Sequence, residues 1–282
     1  MSKVAVVGAG TMGNGIAHVF AQAGWETVLI DVNEAAVKRA LAVIEKHTER
    51  QVTKGALTAQ ERRSMLSRIT TATSLDAAQD AEIVVEAVTE NPKIKFDTCG
   101  TLSRLTAPST ILASNTSSIS ITEIARHTDR PAQVIGMHFM NPVPLMPLVE
   151  VVRGRETSSD TVKRTVELSK QLGKTPVEVK DAPGFVSNRV LMPMINEAIF
   201  CVQDGIATPE AVDQVMTLGM KHPLGPLALA DLIGLDVCLD ILRVLQHGLD
   251  KHKYRPAKLL EEMVAAGKLG RKSGAGFYVY RD

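Results

Sequence analysis

One stretch near the N-terminus limits this chain more than any other. Lys3-Val4-Ala5-Val6-Val7 runs into Gly8-Ala9-Gly10-Thr11-Met12-Gly13, and helical text follows from Asn14 to Ala23. A bare GxGxxG pattern says little. Set between a β-branched run and a helix it demands a tight strand–turn–helix unit, and a second run, Glu26–Ile30, ends in Asp31, 18 residues past Gly13. Gly8 permits the turn, Gly10 lets the backbone approach a pyrophosphate, and Gly13 lets helix and strand pack closely. The unpaired N–H groups of the helix start, with the macrodipole behind them, favour an anion there. Asp31 is placed to accept hydrogen bonds from adenosine ribose hydroxyls and to repel a 2′-phosphate, so NAD is favoured over NADP. FAD uses the same fingerprint, but the C-terminal part of the chain, its second domain, has no flavin-type strand pattern.

Further short β-branched runs at Ile83–Val85, Ile111–Ala113 and Val134–Met137 have helical text between most of them. Such alternation implies a mostly parallel, doubly wound Rossmann-type sheet covered on both faces. Leu148–Val152 and Val177–Val179 read as added strands flanking a helix at Ser159–Leu172. After Asp181-Ala182-Pro183-Gly184 the pattern becomes wholly helical: Phe185–Asp204, Pro209–Leu218, Leu227–Gln246 with Gly234 a weak point, and Pro256–Ala266. The α/β fold is thus expected to comprise a nucleotide-binding domain at 1–182 and an all-α domain at 183–282. Within the first, residues 34–66 are long for one crossover. Gly55-Ala56-Leu57-Thr58 splits them, with Thr58 an N-cap and Glu61 at the capping-box position, giving an inserted helical hairpin.

A net charge of +1 over 282 residues provides no global field to recruit nucleic acid or an anionic membrane. The three cysteines, Cys99, Cys201 and Cys238, are too scattered for a metal site or CxxC motif. Met1 leads into a strand at Lys3 with no room for a signal peptide, and no apolar run approaches the roughly 18 residues of a membrane span. A cytoplasmic protein is expected.

Val134-Ile135-Gly136-Met137-His138-Phe139 carries a histidine near the strand's C-terminal end, where open α/β sheets bind ligands. Twelve residues on, Leu148-Val149-Glu150-Val151-Val152 sets a carboxylate among apolar neighbours, which is costly unless it is paired. The loop Asn141–Pro147 is too short and proline-rich for a crossover helix, so the two strands should lie side by side, antiparallel, with His138 and Glu150 as partners. A carboxylate beside an imidazole fixes its tautomer and strengthens it as a base for an alcohol; a structural ion pair is the plainer alternative. Ser114-Asn115-Thr116-Ser117-Ser118 follows another strand, so Asn115 and Ser117 lie along the same sheet edge, with Ser118 or Ser120 capping the next helix. Asn188 falls one turn into the first helix of the second domain.

With these residues in place the chain resembles the 3-hydroxyacyl-CoA dehydrogenases, specifically the short bacterial 3-hydroxybutyryl-CoA dehydrogenases. The likeness covers nearly the whole length. It runs through the glycine fingerprint, Ser114–Ser118, His138-Phe139-Met140-Asn141-Pro142, Pro183-Gly184-Phe185-Val186-Ser187-Asn188-Arg189, His222-Pro223-Leu224-Gly225-Pro226 and Lys272-Ser273-Gly274-Ala275-Gly276-Phe277-Tyr278. The resemblance implies His138 as catalytic base, Glu150 as its orienting partner, and Ser117 and Asn188 on the reacting substrate. It also implies NAD contacts from Asp31, Glu90, Lys95, Ser117, Asn141 and Lys272, an acyl-CoA substrate, and a homodimer through the helical domain. Lys46, Arg50 and Lys54, spaced by four, form a basic stripe on the inserted hairpin that could hold CoA phosphates; Arg50 and Lys54 match the family's basic positions, with Arg50 in place of the commoner lysine. A solvated basic face is the competing reading. A dehydrogenase acting on a free β-hydroxyacid would use a lysine base instead, and a non-catalytic NAD-binding protein should have lost one of Ser117, His138, Glu150 or Asn188.

Overall fold

The computed structural model describes residues 2–280; Met1, Arg281 and Asp282 lie outside the described residues. The chain divides into two units between Ala182 and Pro183. In the first, eight strands form one sheet in the order β3-β2-β1-β4-β5-β6-β7-β8. They are β1 (Lys3–Val7), β2 (Glu26–Ile30), β3 (Ile69–Ala72), β4 (Ile83–Glu86), β5 (Ile111–Ser114), β6 (Val134–Phe139), β7 (Leu148–Arg153) and β8 (Thr175–Lys180). From β3 to β6 every pairing is parallel; β7 pairs antiparallel with β6, and β8 runs parallel to β7. Strands β4 and β5 are buried throughout, which is why they read as unbroken apolar runs. Pro176 is accommodated because β8 is an edge strand.

Helix α1 (Thr11–Gln22) packs Ile16, Val19 and Phe20 into the core, and Phe20 meets Trp25 edge-to-face at 5.6 Å. The inserted hairpin consists of α2 (Glu34–Thr53) and α3 (Ala59–Leu66). Val37, Ala40, Ile44 and Thr48 recur at helical spacing to form the buried face of α2. Thr58 and Glu61 close the expected capping box, and Arg62 Nε ties α3 back to Thr48 Oγ1 at 3.2 Å. Helices α4 (Pro92–Leu105), α5 (Ile121–Arg126) and α6 (Ser159–Gln171) complete the unit. Ser120 is the cap of α5, accepting from Glu123 N–H.

The second unit has its own apolar core, built on α7 (Ser187–Gln203), α8 (Pro209–Gln214), α9 (Pro226–Ile233), α10 (Leu235–Gly248) and α11 (Lys258–Ala265). Several expectations need correction. Strand β3 was not anticipated. The segment Phe185–Val186 does not belong to α7, because Phe185 has φ 48° and breaks the helical run. The helix expected over Pro209–Leu218 gives way after Gln214 to a wider π turn at Val215–Gly219. Gly234, at φ 107°, divides the text from Leu227 to Gln246 into two helices. Nor is the unit wholly helical: bridges Gly270↔Ala275 and Ala275↔Val279 fold the last segment back on itself. No described helix is long and apolar enough to cross a membrane.

Candidate active site

The sheet order places the C-terminal ends of β1, β4, β5 and β6 side by side. The turn after β1 is built by two steric demands. Gly8 has φ 102°, and a Cβ there would sit 2.5 Å from Ala87 O; a Cβ on Gly13 would fall 1.7 Å from Gly8 O. Gly10 differs, since a Cβ on it would meet nothing within 4 Å. No neighbouring group explains that glycine, and the space beside its backbone is open to a ligand. Gly10 is also the N-cap of α1, with no side-chain cap and no acidic residue in the first turn, so the helix start that follows it is left open to an anion. Asp31 braces this turn, accepting Ala9 N–H at 2.8 Å through one oxygen and Asn33 N–H at 2.9 Å through the other. A cleft of about 600 Å³ opens here, lined by Gly8, Gly10, Thr11, Met12, Asp31, Val32, Leu75 and Ile94 among others. These residues fit a dinucleotide: an uncapped helix start for the pyrophosphate, a carboxylate at the ribose position, and apolar walls.

At the end of β4 lies a residue that sequence reasoning missed. Glu86 is 1% exposed and accepts from Val88 N–H at 2.7 Å, Lys95 Nζ at 2.8 Å and Ser114 Oγ at 2.6 Å. Its signal in the sequence is a carboxylate between two apolar neighbours, Val85 and Ala87, as Glu150 lies between Val149 and Val151. Lys95, expected at the cofactor surface, is instead 1% exposed, with its ammonium committed to Glu86 and to Val88 O at 3.0 Å. The buried carboxylate requires a cation, and Lys95 supplies it. Glu90 stays partly open. It gathers the loop after β5 by accepting from Thr116 Oγ1, Ser117 N–H and Ser118 Oγ at 2.8, 3.1 and 3.2 Å. Asn115 is buried, its Oδ1 accepting Phe139 N–H at 2.9 Å, and so it joins β5 to β6. Ser117 is half-buried at this edge.

His138 and Glu150 are direct cross-strand partners in the antiparallel register of β6 and β7. Nδ1 of His138 lies 2.9 Å from Glu150 Oε2, with the residues 7% and 2% exposed. A carboxylate only accepts, so Nδ1 carries the proton and the basic lone pair is on Nε2. Asn141 is exposed at the start of the β6–β7 loop. Arg50, in the last turn of α2, and Lys54, its C-cap, are exposed with no ion-pair partner among the described residues. In the second unit, Asn188 is the second residue of α7 and buried, while Lys272 is bonded to Asp236 at 2.6 Å.

A doubly wound sheet with an open helix start, a ribose-side carboxylate and a histidine–carboxylate pair on one edge defines an NAD-binding dehydrogenase. The 3-hydroxyacyl-CoA dehydrogenase NAD-binding domain matches residues 3–182, and the 3-hydroxyacyl-CoA dehydrogenase C-terminal domain matches residues 184–280. The chain belongs to the 3-hydroxyacyl-CoA dehydrogenase family. A probable 3-hydroxybutyryl-CoA dehydrogenase of Bacillus subtilis is 54% identical over 282 residues, covering 100% of this chain and 98% of the relative. One from Deinococcus radiodurans is 55% identical over 278 residues, 99% of this chain and 100% of the other. The crystal structure of (S)-3-hydroxybutyryl-CoA dehydrogenase from Ralstonia eutropha superposes with a TM-score of 0.97 at 49% identity, over 100% of both chains.

Proposed function

We propose that this chain is an NAD-dependent (S)-3-hydroxybutyryl-CoA dehydrogenase in which His138 is the general base. The observation that carries the assignment of the base is the buried 2.9 Å pairing of His138 with Glu150 on the ligand-binding edge of the sheet. When bound, NAD supplies the hydride acceptor for the carbon bearing the 3-hydroxyl. His138 Nε2 takes the hydroxyl proton as that carbon is oxidised, and Glu150 stabilises the imidazolium that results. Ser117, on a loop fixed by Glu90, and Asn188 hold the substrate oxygens. In the reverse direction the imidazolium returns its proton to the 3-oxo oxygen.

The Gly8–Gly13 turn and Asp31 hold the dinucleotide, with Glu90, Asn115, Ser117, Asn141 and Lys272 completing its contacts. Lys95 acts at one remove, by fixing the segment from Glu86 to Glu90. Arg50 and Lys54 meet the CoA phosphates, and the active species is a homodimer joined through the helical unit. The test of the base is His138→Gln, which keeps an amide near the Nε2 position but cannot cycle a proton. Turnover of acetoacetyl-CoA with NADH should fall by about 10³-fold or more, with NADH affinity changed less than about twofold. A variant keeping a tenth of the wild-type rate would remove His138 from the mechanism.

A further inference from the structure

The geometry points to Lys174 as a positioning residue that fixes the loop between the His138 and Glu150 strands. This rests on the role of those two residues proposed above. Lys174 sits between α6 and β8 and is 9% exposed. Its ammonium has no carboxylate within 4.0 Å among the described residues. It donates to two carbonyls of one loop, Val143 O at 2.5 Å and Met146 O at 2.9 Å. Burial pulls its pKa below the ordinary lysine range. A lysine side chain that needed only packing would have carried its charge to water. This one is held under the loop, aimed at two backbone oxygens.

The loop is gripped from three sides. Its own turn is closed by Pro142 O, which accepts from Leu145 N–H and Met146 N–H, both at 3.0 Å. Next to Lys174, Thr175 N–H donates to Pro147 O at 2.7 Å, tying the loop's end to β8. On the far side the Val143 side chain, 2% exposed, packs on Gly15 of α1, where a Cβ would come within 2.8 Å of Val143 Cβ. Val143 is therefore held by its carbonyl to Lys174 and by its side chain to the helix that begins at the dinucleotide turn. That single residue links the loop that carries Asn141 to α1, while the strands on either side carry His138 and Glu150. Replacing the ammonium with an apolar group leaves the buried Val143 carbonyl and the half-buried Met146 carbonyl without their shared donor, and the loop must open to hydrate the first of them.

The experiment compares Lys174→Met and Lys174→Arg in the full chain, using amide hydrogen exchange and steady-state kinetics. In Lys174→Met the amides of Leu145 and Met146 should exchange about tenfold faster, with those of β1 unchanged. The kcat should fall about tenfold while the KM for NADH stays within about twofold, and arginine should restore most of both losses. Unchanged exchange at Leu145 and Met146 would overturn the proposal, as would faster exchange with kcat retained. A general rise in exchange reaching β1 would make Lys174 an ordinary stabiliser and also overturn it. If the methionine variant does not fold, Lys174→Gln is read by the same criteria. The exchange measurement needs no activity, so an active His138→Gln would end the base assignment while leaving the clamp to stand or fall by itself.

Discussion

Three glycines in one turn have three different reasons to be glycine, and substitution separates them. Gly10→Ala adds a methyl group that meets nothing within 4 Å, so thermal stability should hold while the KM for NAD rises about tenfold. Gly13→Ala drives its methyl group against Gly8 O and should cost about 2 kcal/mol or more of folding stability before any effect on binding is read. Thermal melts and NAD titration of the two variants distinguish a ligand-facing glycine from a packing one; equal loss of stability in both would remove the pyrophosphate argument for Gly10. The carboxylate behind the proposed base makes a second test. Glu150→Gln keeps a polar group against Nδ1 but removes the charge that steadies the imidazolium, and kcat should drop on the order of 10²-fold with little change in NADH affinity. The pairing of His138 with Glu150 could be read from the sequence because a short prolyl loop leaves two apolar strands little choice but to lie together. Lys95 could not be placed the same way. Its burial depends on Glu86, whose depth is set by the parallel strands on either side of it.

At the scale of elements, the seam between α1 and α2 holds a group that should make the fold sensitive to acid. His18 of α1 is 1% exposed, and burial, the leading cause, pushes its pKa from 6.5 to about 4; the nearby charges of His47 and Lys174 push it the same way. The unfolded chain therefore takes up a proton that the folded chain refuses. The stability this group contributes is whole above about pH 6.5 and is lost as pH falls from there towards 4, amounting to about 2–3 kcal/mol by about pH 4.5. Urea unfolding at about pH 7 and about pH 4.5 should show this extra loss in the wild type and not in His18→Gln, and parallel losses in both would mean the acid sensitivity lies elsewhere. Elements with long, strong periodicity were legible from the sequence, as was the α2–α3 hairpin, whose split is marked by Gly55 and the Thr58–Glu61 capping box. Strand β3 was not. Ile69-Thr70-Thr71-Ala72 is short and half-exposed, and it is a strand because the edge of β2 offers it a ladder rather than because of its own pattern. The break at Gly234 was visible as a weak point. What the sequence withheld was the backbone's passage to φ 107°, which ends one helix and starts another.

At the scale of the whole molecule, the helical unit's outer surface bears on the proposed homodimer. That unit buries a coherent core yet leaves large apolar side chains in the open: Leu218 is 82% exposed, Ile206 72%, Val190 67%, Val215 62% and Met220 61%. Two of them, Val215 and Leu218, lie on the π turn that ends α8, and Met220 follows immediately, so this stretch turns its apolar groups away from the unit's own core. Scattered exposed hydrophobes are ordinary on a monomer, whereas several within six residues call for a partner. The proposed homodimer supplies a second copy of the same surface, and a two-fold contact is self-complementary by construction. Charge placed there should therefore repel itself across the axis. Leu218→Glu with Met220→Glu should convert a dimer to a monomer in sedimentation equilibrium, while circular dichroism remains that of the wild type. Both side chains already face water in the single chain, so the substitutions should not disturb its core. If the wild type sediments as a single chain, the helical unit's exposed residues belong to some other contact and the dimer is wrong; if the double variant remains dimeric, the interface lies on a different face.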